Sequence, residues 1–96
     1  MKTGIQLITE ERQEQITKHG RTIELDVIQN RNRQLTTAVQ ELLEMHPSNM
    51  GFPADWDMNI VHHMASKPYY ERLIIAGALI AAEIDRLNSI PINPTP

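Results

Sequence analysis

The chain has 96 residues, 41% hydrophobic and 22% charged, with a net charge of −3. That is one domain's worth of chain with a modest core, and the acidic balance excludes general nucleic-acid binding, which needs a basic face. With no cysteine, disulfides and thiolate metal sites are excluded as well. Residues 1–9 carry too few strong hydrophobes for a signal peptide. The longest apolar run is about half the roughly 20 residues that span a bilayer, so the expectation is a cytoplasmic protein with no membrane partner.

Thr3-Gly4-Ile5-Gln6 fits a capping box and starts a helix over 4–19, with Gly20 as its stop. Residues 21–33 are polar and without period. The stretch is ambiguous: its Val27-Ile28 pair can anchor a short turn, and Asn30 or Asn32 is placed to cap the next element. Leu35, Ala38, Val39, Leu42 and Leu43 then mark one face of an amphipathic helix over 33–45, which Pro47 should end. Pro47, Gly51 and Pro53 read as a loop. A short helix near 55–65 would bury Trp56, Ile60 and Met64. Ser66 should cap the last helix, over 67–87, with Pro68 in its first turn. Residues 88–96 hold three prolines and read as a flexible tail. No segment alternates as a strand does. The expected fold class is all-α, a compact bundle of three main helices plus one short helix, a single helical domain over 1–96.

The last helix carries ten consecutive small or apolar residues, Leu73–Ala82. Its stripe of Leu73, Ala76, Gly77, Ile80, Ile84 and Leu87 is expected to face the core. Apolar residues also cover the other sides, and a few companion helices cannot wrap them all. A homodimer packed through Leu73–Ala82 accounts for this pattern, with Ala78 and Ala82 facing outward. The alternative is that the short helix and the tail cover the surplus.

In the first helix, Ile5, Ile8, Ile16 and His19 point one way, and Arg12 sits in the middle of that stripe. An arginine facing a core must be paired, and Glu83 on the last helix is the expected partner. Glu11 and Gln15 flank Arg12. Three readings stay open: a structural Arg12–Glu83 pair, a polar pocket lined by Glu11, Arg12, Gln15 and Glu83, or an arginine that snorkels outward.

Other constellations are weaker. His62 and His63 are adjacent and diverge on a helix, while His19 and His46 fall at helix ends, so a histidine metal site is not indicated. Glu11/Glu14 and Glu41/Glu44 have the i, i+3 spacing that shares a hard cation, but Glu14 and Glu44 point away from the apolar stripes. The serines fall in loops or caps, and no phosphate-cradling glycine loop is present.

Two blocks taken together, Ile5-Gln6-Leu7-Ile8 through Glu11-Arg12-Gln13 to Gln15-Ile16 and Arg72-Leu73 through Ala76-Gly77-Ala78-Leu79-Ile80 to Ala82-Glu83-Ile84-Asp85-Arg86-Leu87, resemble a family of small all-helical proteins of phages and prophages. Gly20-Arg21-Thr22-Ile23-Glu24-Leu25-Asp26 stands where that family has a Gly-x-Thr-x-Glu-x-Asp stretch. The family's layout is similar to the all-α nucleoside triphosphate pyrophosphatases of the MazG-like group. The resemblance implies a magnesium-dependent release of pyrophosphate from a nucleotide, with Glu11, Glu24, Asp26 and Glu83 as metal-holding carboxylates and Arg12 steadying a phosphate. The group's Glu-x-x-Asp is missing here, Glu83-Ile84-Asp85 being the nearest sequence. Arg33-Gln34-Leu35 stands where relatives read Gly-Glu-Leu, which puts an amide in place of a carboxylate. A non-enzymatic interaction module of a mobile element is the alternative that these departures imply.

Overall fold

Capping chemistry sets where the first helix starts and stops. In the computed structural model, which describes residues 1–20 and 22–90, Thr3 Oγ1 accepts the Gln6 amide at 3.2 Å. Gln6 Oε1 accepts the Thr3 amide at 2.7 Å, and α1 runs Gly4–His19 as expected. Gly20 closes it at φ 65°, a left-handed angle open to glycine, with its amide donating to the Gln15 carbonyl.

The polar stretch that follows is a helix rather than a turn. Thr22 Oγ1 accepts the Leu25 amide, and α2 spans Ile23–Gln29 with Glu24 and Asp26 at its positive end. Seven residues are too few to show a helical period, so the caps, not the pattern, mark this element. Arg33, at φ 66° and ψ 24°, turns the chain into α3, Gln34–Leu42. Leu35, Ala38, Val39 and Leu42 are buried on its inner face, as the spacing requires, but Leu43 is exposed.

α3 ends before the expected 45, and the reason lies elsewhere in the chain. Arg72 donates through Nη1 to the Leu42 and Glu44 carbonyls at 2.7 and 2.6 Å, and through Nε to the Lys67 carbonyl at 3.0 Å. One buried guanidinium thus caps the end of α3 and the corner before the last helix. The connection holds a 3₁₀ turn at Asn49–Gly51 and buries Phe52, Pro53 and Trp56. Asp57 then caps α4, Met58–Ala65, by accepting the Asn59 and Ile60 amides. The expected start at 55 is therefore corrected to 58. Trp56 is buried ahead of the helix, and Ile60 is exposed where Val61 is buried. Ser66 ends α4 instead of opening the next helix. Pro68 precedes α5, Tyr69–Asn88. Of the expected tail, residues 91–96 lie outside the described residues, as does Arg21 of the Gly20–Asp26 stretch.

Among the described residues the protein is thus all-helical, with five α-helices and no strand. α5 is its axis. α1, α2, α3 and α4 all pack on it, and the radius of gyration of 13.2 Å is that of a compact chain of this size. The face α5 turns inward is not the expected one. Arg72, Ile75, Leu79, Ala82 and Arg86 are buried, with Ala76 and Ala78, while Leu73, Ile80, Ile84 and Leu87 are exposed. Both sets follow a 3-4 spacing and are offset by one residue, about 100° around the helix. In a run that is apolar on all sides, periodicity alone does not choose between them. The inward stripe has an arginine at each end, and both find partners inside. Ala78 and Ala82 are at most 1% exposed and are not outward positions.

Candidate functional site

Arg12 faces inward from α1 and is 8% exposed, so the sequence reading of its orientation holds. Its stripe is less apolar than expected: Ile5 is 80% exposed, Ile8 and Ile16 are half-buried, and Gln15 is buried in their place. The ion pair from Arg12 Nη2 goes to Asp85 Oδ2 at 3.5 Å, two residues beyond the expected Glu83. Glu83 is engaged within its own helix. Its two carboxylate oxygens accept Arg86 Nε at 2.7 Å and Arg86 Nη2 at 2.8 Å. Three residues apart on one helix, the two side chains are neighbours by construction, and the forked pairing is the strong geometry for arginine and carboxylate.

α2 adds a fully buried carboxylate. Asp26 on α2 is 1% exposed; its Oδ1 accepts Asn30 Nδ2 at 2.8 Å, and Asn30 Oδ1 accepts Trp56 Nε1 at 3.0 Å. This chain of bonds ties α2 to the loop ahead of α4. The hydrogen bonds that Arg86 donates to Glu83 raise the Arg86 pKa above its ordinary value. Burial pulls it down, and attraction to Glu83 and Asp26 adds to the rise. Arg86 therefore stays charged throughout the physiological range.

The proposed metal-holding residues are distributed rather than gathered. Glu11 is half-buried on α1 and accepts Gln15 Nε2 at 3.3 Å. Glu24 is exposed, Asp26 lies in the hydrogen-bonded chain, and Glu83 has both oxygens on Arg86. Among the described residues no three His, Asp or Glu side chains stand close enough to share an ion. This arrangement does not fit a magnesium ion, which wants open carboxylate oxygens. Of the spaced pairs, Glu41 accepts the Ser48 amide at 2.8 Å, and Glu44 is exposed. Gln34 braces the α2–α3 corner by accepting from the Asn32 amide and donating to the Gln29 carbonyl.

Two recesses flank this polar seam and meet at His19 and Ile60. The larger, about 630 Å³, lies between α1, α4 and α5, with Glu11 and Gln15 in its wall. The smaller, about 420 Å³, is bordered by Asp26, Asn30 and Trp56 together with Asp55 and Asp57. Arg12 and Glu83 line neither, so the expected four-residue pocket resolves into a buried pairing region and a groove beside it. The sequence reading placed Asn30 as a cap and Trp56 in the core but did not find their hydrogen-bonded chain with Asp26, nor the pairing of Asp85 and Arg86. Arg86 carried a signal, because it falls 14 residues after Arg72, near four whole turns, and so on the same face.

No protein-family model, no curated protein and no solved structure matches this chain.

Proposed function

We propose that the protein is a non-catalytic, self-associating interaction module of the phage or prophage type, on a helical layout like that of the nucleotide pyrophosphatases. The observation that supports this reading is the grip on Glu83, whose two oxygens both accept from Arg86. Carboxylates so held stabilise helix packing and do not present open oxygens to an ion. The test is a screen of canonical and deoxy nucleoside triphosphates with magnesium, following pyrophosphate and monophosphate. The expected result is no turnover and no shift of melting temperature with nucleotide or magnesium.

Self-association is supported by the stripe of α5 left outside. Leu73, Ile80, Ile84 and Leu87 are 40–53% exposed, and their spacing of seven, four and three residues places them along one side of the helix. A second copy presents the same spacing, so a two-fold pairing satisfies both chains at once. Sedimentation should give a dimer at micromolar concentration, dissociated by Ile80→Lys with Ile84→Lys while helicity is retained. A wild-type species of 11.0 kDa under those conditions would exclude it. Ala78→Glu, being inside the chain, should unfold it instead.

A second reading, a magnesium-dependent nucleoside triphosphate pyrophosphohydrolase, draws support from the nearness of Asp26 and Glu83, on different helices, to one buried cation. Triphosphate turnover in the screen, lost in a folded Glu83→Gln variant, would replace the module reading with this one.

A further inference from the structure

No further inference is drawn: the strongest candidate, the recess of about 420 Å³ between α2 and the loop ahead of α4, rests on the acidic cluster of Asp26, Asp55 and Asp57, with nothing else in the structure that points to a ligand there.

Discussion

The two sides of α5 are held by different forces. Toward α3 and the 52–64 segment the contact is apolar, with Leu35, Leu42, Val61 and Leu79 at most 1% exposed. Toward α1 and α2 the same helix meets Arg12, Gln15 and Asp26 and supplies Glu83, Asp85 and Arg86. Apolar burial is non-directional and tolerates substitution by volume. Paired charges are directional and fail when one member is lost. The apolar side therefore supplies bulk stability, and the polar side supplies a fixed register of α1 and α2 on α5.

The largest expected effect comes from breaking the polar side from one end. Arg86→Ala removes the cation that Glu83 grips and Asp26 attracts, and loss of one partner of a buried pair costs about 3–5 kcal/mol. For a domain with about 5–15 kcal/mol in total, urea unfolding should show a clear fall in midpoint. Replacing both partners, Glu83→Leu with Arg86→Met, should recover much of the loss, because two matched apolar groups leave no uncompensated charge. A double variant as unstable as the single one would mean that Arg86 acts chiefly through Asp26. Next comes the apolar side. Leu35→Ala, at a residue with no exposure, should cost about 2–5 kcal/mol with no partner able to restore it. If a neighbouring substitution rescued Leu35→Ala as fully as the pair swap rescues Arg86→Ala, the contrast between the two sides would fail.

Much of the apolar side was legible in the chain. The spacing of Leu35, Ala38, Val39 and Leu42 gave α3 and its face, and the Thr3/Gln6 and Gly20 signals gave α1 to the residue. The polar side was legible only in outline. That Arg12 turns inward followed from its place among Ile8 and Ile16, but its partner did not. Glu83 and Asp85 lie two residues apart and differ by about 200° around the helix. Which of them faces α1 depends on the rotation of α5. That rotation was misread because the run is apolar on every side and offers two stripes with the same spacing. Arg72 decides it through carbonyls near α3, about 30 residues away along the chain, and no local pattern reports such contacts. α2 was missed for a different reason: its stability comes from Thr22 and from the Asp26–Asn30–Trp56 chain, not from an amphipathic stripe.

The smallest effect tests the corner that joins the two sides. Arg33 takes φ 66° between α2 and α3, and a side chain in the left-handed region costs about 1–2 kcal/mol. Glycine removes that cost but gives back about 0.5–1 kcal/mol through the greater freedom of the unfolded chain. Arg33→Gly is therefore expected to raise stability by about 0.5–1 kcal/mol, the difference between those ranges. Such a gain is a fraction of the effect expected on either side and needs matched urea curves with equal slopes to be read. Gln34 spans the same corner through Asn32 and Gln29, so Gln34→Leu in the Arg33→Gly background should cancel the gain. If Arg33→Gly destabilises the chain instead, the arginine must be holding the corner through its side chain. The register of α2 against α3 would then depend on a charge on the side assigned here to apolar packing.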